Sequence, residues 1–369
     1  MLRIVLCALL GLICCVCSAE KASSAGELCG VAAYFNPSRY ATKKRNYNIF
    51  RSSLQKQGVK LVVAELALDS DPFEIKEEDA DMIVRLREDR SSAVMWQKER
   101  LINVGVSAMM RDQAWKWCTK IAWLDADVIF DNDDWAKHAS SVLTRYIIAQ
   151  PFMFLIRLPE GVVDKKQAAQ LGTKRGKGEG EKYKGIAATV YAGGPRRRIM
   201  DSPRAHGYTG FAWVARRSLF EQIGLYDASI CGGGDVLISQ AMWGHFAQYR
   251  QGYLGVEYKP YYYAGRFTGA SAEHYNNWAT KFYARVDGKV GFVMGKAFHL
   301  WHGEKRNRQY RSRFLTLMNN GFDPSQDIRI SSSGAWVWAS DKPEMHGSII
   351  SYFNSRQEDG TPQHHEEEL

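Results

Sequence analysis

Cysteine is scarce where it could staple a fold. Of the seven cysteines, Cys7, Cys14, Cys15 and Cys17 crowd the first 19 residues, which leaves Cys29, Cys118 and Cys231. Three thiols cannot build a disulfide framework; one bridge plus one free thiol is the limit, and the pairing stays open. After residue 17 no apolar run is long enough to span a bilayer. Asn-x-Ser/Thr acceptors are missing, since Asn36 is followed by Pro37. The phosphate-cradling Gly-x-x-x-x-Gly-Lys-Ser/Thr loop, Gly-x-Gly-x-x-Gly, Gly-x-Ser-x-Gly, His-Glu-x-x-His and, after residue 19, Cys-x-x-Cys are all absent, which excludes several nucleotide-binding, hydrolase and redox classes. Asp131-Asn132-Asp133-Asp134 starts like a calcium loop but lacks glycine at the sixth place and glutamate at the twelfth.

What is present suffices for a sizeable core. The chain has 369 residues, 45% hydrophobic, and its 11 Trp and 18 Tyr could serve a core or the face of a sugar ring. The net charge of +9 favours anionic ligands. The basic residues are spread along the chain rather than clustered, which argues against a nucleic-acid surface. Residues 1–19 carry Arg3, an apolar run over 4–17 and a small-residue site at Cys17-Ser18-Ala19. That pattern reads as a signal peptide, with a short uncleaved anchor as the alternative, and it points to the secretory pathway, in the Golgi or endoplasmic-reticulum lumen, or to export.

Strand and helix patterns alternate through the first half: CGVAAY at 29–34, a basic helix near 43–56, VKLVVAEL at 59–66, a short strand at 81–86, a helix at 96–110, a strand ending at Leu124, a helix at 135–148 and a strand at 151–156. This predicts an α/β domain over 28–318 with a mixed, mainly parallel sheet flanked by helices. Residues 160–206, rich in Gly, Lys and Arg, read as a mobile basic insertion. Residues 250–290 read as irregular, Val293–His302 as a strand and Lys305–Met318 as a basic helix. Residues 319–369 read as a peripheral region with a disordered end.

One stretch organises the reading. KIAWLDADVIFDNDDW, Lys120–Trp135, is an apolar strand that ends in Asp125-Ala126-Asp127. Burying unpaired carboxylates costs several kcal/mol, and a divalent cation such as Mg²⁺ or Mn²⁺ resolves the conflict. Three other features join it: His299-x-x-His302 at a strand end, Gly232-Gly233-Gly234-Asp235 at a helix start, and the basic residues Arg39, Lys98 and Arg100.

In this order the features resemble those of GT-A-fold glycosyltransferases, above all the β1,4-galactosyltransferase family and more loosely the polypeptide N-acetylgalactosaminyltransferases. Tyr34–Arg39 is similar to that family's first strand and turn, Trp96–Gly105 to its aromatic-Asn-Arg-Ala-Lys-Leu-Leu-Asn-Val-Gly helix, and Asp125-Ala126-Asp127 to its Asp-Val-Asp. Gly210–Gly224, Cys231–Val236 and His299-Leu300-Trp301-His302 resemble its later segments, so the likeness covers roughly residues 28–315. The resemblance implies a nucleotide-sugar-binding fold that moves a sugar from a donor, a UDP-sugar, to a hydroxyl of a glycan, glycoprotein or glycolipid, with inversion. Asp127, His299 and His302 would hold Mn²⁺, or Mg²⁺, with Asp125 on the ribose or the metal shell. Phe35, Asn36, Arg39, Lys98 and Arg100 would hold the nucleotide. Asp235 would be the general base. Tyr208, Trp213, Gly233 and Gly234 would face the acceptor, although core packing fits Trp213 better. Two imidazoles also suit Mn²⁺ better than Mg²⁺.

The departures are specific. The consecutive acids after the family's double glycine are reduced to Asp235, a basic residue of the first turn is lost, and Ile230-Cys231 stands where the acceptor-side tryptophan belongs. Donor, acceptor and linkage are therefore not carried over. The alternatives are a GT-A-fold glycan-binding protein without activity, or a nucleotidyltransferase. A membrane partner enters only if residues 4–17 stay as an anchor.

Overall fold

The computed structural model describes residues 27–193, 207–246, 269–310 and 312–360. The expectations for residues 1–19, for the end of the chain beyond 360, for 194–206 of the insertion and for 250–268 of the irregular stretch fall outside them. Among the described residues no helix is long and apolar enough to cross a membrane.

A seven-stranded sheet forms the centre, in the order β10-β6-β9-β4-β1-β2-β3. Its strands are β1 (Leu28–Phe35), β2 (Leu61–Leu68), β3 (Met82–Glu88), β4 (Lys120–Leu124), β6 (Ile148–Gln150), β9 (Ala212–Arg216) and β10 (Val290–Phe292). Only β9 runs against its neighbours; β3, β2, β1 and β4 pair in parallel, as do β6 and β10. Parallel strands are covered on both faces, so they read as continuous apolar runs. β2, LVVAELAL, is buried at all eight positions. Its one acid, Glu65, accepts the backbone N–H groups of Glu74 and Ile75. The helix Lys98–Arg111 lies across β1 and β2. Gly105 lets it approach: a Cβ there would stand 3.0 Å from Cγ1 of Val31.

A second sheet, β5-β11-β7-β8, adjoins the first. It holds β5 (Val128–Phe130), β7 (Phe154–Arg157), β8 (Lys182–Lys184) and β11 (Lys296–His299). The turn Asp125–Asp127 carries the chain from β4 in the large sheet to β5 in the small one. A disulfide joins Cys29 at the start of β1 to Cys118 ahead of β4, and Cys231 is a buried free thiol.

Several expectations change. The helix expected to reach Ile148 stops at Val142, because β-branched Ile148 enters the sheet as the first residue of β6, which pairs with β9 and β10. Residues 160–193 of the insertion are built in: Lys182–Lys184 pairs with β7, and Ile186, Ala187 and Ala188 are core. Residues 269–286 form an 18-residue helix, buried at Tyr275, Ala279, Phe282 and Val286. That spacing is helical, and the surrounding aromatics masked it. The basic helix expected at 305–318 is a single 3₁₀ turn, Lys305–Arg308, ended by Gln309 in the left-handed region (φ 47°), then a short helix at Leu315–Asn319. The region after 319 is not peripheral. A hairpin of β12 (Ile328–Ile330) and β13 (Trp336–Trp338) leads to a helix, Pro343–Asn354, and the chain after it returns to the segment that follows β1. There Asp359 accepts the N–H groups of Ala41 and Thr42, capping a helix (Ala41–Lys56) that has no side-chain cap of its own.

Candidate functional site

The parallel register sets the carboxyl end of β4 beside β1, Leu124 opposite Ala32, and β1 runs on to Phe35. A cavity of about 610 Å³ opens beyond that edge. The edge of a parallel sheet at its strand ends is where α/β folds take ligands, and the volume suits a substrate of nucleotide size.

At the cavity floor, Oδ2 of Asp127 lies 3.2 Å from Nε2 of His302 and 3.6 Å from Nε2 of His299. The two Nε2 atoms are 3.1 Å apart. Local pairing forces the convergence. β5 runs antiparallel to β11 with Val128 opposite His299, and Leu300 N–H donates to the carbonyl of Asp127 (2.9 Å). His302 follows one turn later in the exit from β11. These are the only described residues whose carboxylate, imidazole or thiol groups gather in this way.

The electrostatics suit a cation. Burial would raise the Asp127 carboxyl, but His299 and His302 beside it hold it well below the usual carboxylate range. Burial pushes His302 down to about 3, helped by Arg308 and opposed by Asp127 and Glu358, so its ring is neutral. Oδ1 of Asp127 is buried without a hydrogen-bond partner among the described residues. An ionised carboxylate with an orphaned oxygen, facing two imidazole nitrogens, is a donor set that a divalent ion fits.

Glu358 stands behind this group. Its Oε2 is 3.5 Å from Nδ1 of His302, and Arg356 pairs with its other oxygen at 2.5–2.6 Å. Gly303 seats the segment: at φ 83° it brings the backbone within 2.5 Å, Cβ position to carbonyl, of Gln357. Sequence reasoning missed Glu358, Arg356 and Phe353, all of which line the cavity from the last turns of the described chain.

Asp125 is outside the convergent set. Its Oδ1 accepts from Nζ of Lys98 at 3.0 Å. Burial raises the Asp125 carboxyl against the pull of Lys98. The lysine itself is held charged, since Asp125, Glu99 and Asp235 outweigh its own burial. Asp235 lines the cavity from the first turn of the helix Gly234–Met242 and accepts from the Thr209 hydroxyl at 3.0 Å. Gly232 and Gly233, both with φ above 80°, make the turn that presents it. Phe35 lines the cavity edge-on to Phe353, and Tyr208 and Gly233 also line it.

Five expected residues are not brought in. Arg100 lies two residues from Lys98, about 200° around the helix. It bonds Gly334 and Asp227 and packs on Trp336. Arg39, at φ 54°, turns outward towards Asp71. Asn36 is buried, tying the turn to Tyr40 and Glu74. Trp213 stacks on Trp123 in the core and donates to the carbonyl of Thr209 (2.7 Å). Gly234 packs on Glu99, where a Cβ would stand 2.6 Å from the carboxyl carbon. In their place the cavity gains Arg157, Lys177, Lys305, Arg308, Tyr310 and Arg313.

No family model matches the chain, and no curated protein matches it. Solved structures do. Residues 1–349 of S. aureus TarS are 11% identical over 79% of this chain and 64% of that one, with a TM-score of 0.33. M. tuberculosis glucosyl-3-phosphoglycerate synthase with Mn²⁺, UDP-glucose and phosphoglyceric acid is 11% identical over 86% and 89%, with a TM-score of 0.34. A putative nucleotide-diphospho-sugar transferase from Desulfovibrio desulfuricans is 10% identical over 91% and 99%, with a TM-score of 0.30. The chain thus spans less than two thirds of the TarS fragment. Likeness at this level assigns none of these activities to the chain, which rests on its own geometry.

Proposed function

We propose that this chain is a metal-dependent glycosyltransferase of the GT-A type, moving a sugar from a nucleotide-sugar donor, a UDP-sugar, to a hydroxyl acceptor with inversion. The observation that carries the reading is the convergence of Asp127, His299 and His302 at the floor of the cavity that Asp235 also faces. Kinship with the β1,4-galactosyltransferases rests on the motifs alone.

Asp127 and the two histidines would hold Mn²⁺, which supplies Lewis-acid stabilisation of the leaving diphosphate. Lys98 fixes Asp125 in place through their 3.0 Å contact and leaves its other oxygen for the donor. Phe35 offers a ring face at the end of β1. Thr209 holds Oδ2 of Asp235, orienting the carboxylate to take the proton of the attacking hydroxyl. A single base acting in one displacement inverts the anomeric centre. A secretory location rests on the 1–19 segment and accords with the Cys29–Cys118 bridge, since disulfides persist in oxidising compartments.

The test is a donor panel: UDP-, GDP- and nucleoside-monophosphate-activated sugars assayed for turnover with Mn²⁺, with Mg²⁺ and with a chelator. We expect turnover with a UDP-sugar and Mn²⁺, lost on chelation and in Asp127→Asn and His302→Ala. Nucleotide binding that is indifferent to metal in wild type and both variants would defeat the reading. Metal-dependent binding without turnover on any donor would instead favour the glycan-binding alternative.

A further inference from the structure

Eight lysines and arginines line the cavity against four carboxylates. Four of the eight cations have local partners. Lys98 holds Asp125, while Arg356 and Lys43 face Glu358. Arg308 donates to the carbonyl of His302 (3.1 Å), which keeps it beside the group of Asp127, His299 and His302. A nucleoside diphosphate sugar carries about two negative charges and a divalent ion about two positive ones, so their arrival leaves the wall's excess unchanged.

Of the other four, Arg313 donates to the Tyr352 hydroxyl, and Arg157, Lys177 and Lys305 stand near one another. Arg157 closes β7 directly opposite His299 in the register. Its guanidinium lies over the rings of Tyr208 (5.3 Å) and Phe211 (5.8 Å), and Phe211 in turn packs edge-on to His299 (4.8 Å). Nε of Arg157 is buried with no acceptor among the described residues. Lys305 and Lys177 stand near enough to repel it and each other: burial and these like charges lower both ammonium groups. Neither Arg157 nor Lys305 has an ion pair with a described carboxylate. Burial, with Glu304 and Glu160 nearby, raises the Glu179 carboxyl, and Arg157 draws it part of the way back. A buried guanidinium N–H without an acceptor, as in Arg157, costs free energy that an anion accepting from it recovers.

We infer that Arg157 and Lys305, with Lys177, form a second anion subsite beside the donor site, so that the acceptor carries a phosphate, sulfate or carboxylate group. This rests on the glycosyltransferase reading for the word acceptor, and on the cavity alone for the anion. Arg157 supplies a planar fork already oriented by two aromatic rings, and Lys305 a movable charge on an exposed turn.

The experiment uses calorimetry on the full chain. UDP is titrated with and without Mn²⁺. Glucose 6-phosphate, glucuronate and glucose are then titrated into the Mn²⁺- and UDP-saturated protein and into the metal-free protein. The same series is run on Arg157→Ala and Lys305→Ala. We expect at least one of the two anionic sugars to bind about tenfold or more tightly than glucose. Which one does so distinguishes a phosphate from a carboxylate. Both variants should erase that preference and shift Mn²⁺-dependent UDP affinity less than about twofold. Equal binding of all three sugars, with UDP binding intact, overturns the anion subsite. Loss of UDP affinity in the variants overturns it too, assigning the cluster to the donor. Failure of wild type to bind UDP, with the anionic preference kept, sinks the donor reading and leaves the subsite standing.

Discussion

Oε2 of Glu358 lies 3.5 Å from Nδ1 of His302, on the side of the ring away from Asp127. A carboxylate on the Nδ1 side favours the tautomer whose Nε2 lone pair faces Asp127 and His299. Glu358 is itself 1% exposed and paired with Arg356, so it does not turn away. Burial opposes its ionisation, yet Arg356, Lys43 and His302 hold it well below the usual carboxylate range. The end of the described chain thus backs the group of Asp127, His299 and His302. Glu358→Gln should weaken Mn²⁺ binding about 10–100-fold. Titration of Mn²⁺ followed by electron paramagnetic resonance reads this directly, with melting temperature as the control for folding. Unchanged Mn²⁺ affinity would show that the carboxylate only anchors Arg356.

Asp235 makes a different prediction. Asp235→Asn keeps the shape and the Thr209 contact while removing the proposed base. Turnover should fall about 10²–10⁴-fold, with Mn²⁺-dependent UDP affinity nearly unchanged. Donor turnover in the presence of an acceptor checks the first part and calorimetry the second. Wild-type turnover in Asp235→Asn would remove the residue from the mechanism.

Tyr310 sets a pH dependence. Burial disfavours its phenolate, but Arg308, Arg157, Arg313 and Arg356 around it bring it down to about 8. Below that pH the phenol is neutral; above it a negative charge sits among the cations and offsets one of them. Anion affinity should therefore decline as pH rises through about 8. Inorganic sulfate keeps its charge across this range, so its binding to metal-free protein isolates the effect. In Tyr310→Phe the decline should shrink to what the nearby lysines contribute. A wild-type curve that matches the variant would show that Tyr310 does not ionise there.

The Cys29–Cys118 bridge closes a loop of 89 residues across the start of β1 and the approach to β4. Removing a bridge of this span costs about 2–5 kcal/mol. Cys118→Ser should lower the melting temperature measurably. In wild type, reduction should do the same, while Cys231→Ser, which removes the buried free thiol, should leave the response to reductant intact. An equal melting temperature for oxidised and reduced wild type would refute the stabilising role.

Much of this was legible along the chain, and the limits have physical causes. β1, β2 and β4 announce themselves because strands buried on both faces must be apolar throughout. Asp127 stands out because an acid at the end of such a strand violates that pattern, and His299 and His302 because three residues bring the second ring back to the first. Lys98 and Arg100 look equivalent in a string of letters, but helix phase sends one to Asp125 and the other to Asp227. Trp213 follows the alternation of β9 into the core, against Trp123. Local periodicity carries such facts only when the phase is anchored to a known face.

Local order alone thus specified the mainly parallel α/β plan, the acid-ended strand and the histidine pair, because neighbours in sequence impose those patterns. Long-range packing chose the rest. Arg157 faces His299 because β7 and β11 pair, and their sequence positions are 142 residues apart. Glu358 reaches His302 because Gly303 admits the returning chain and Asp359 clasps the helix that follows β1. Contacts of this kind are fixed by burial and charge pairing in the assembled core, which no short window of residues encodes.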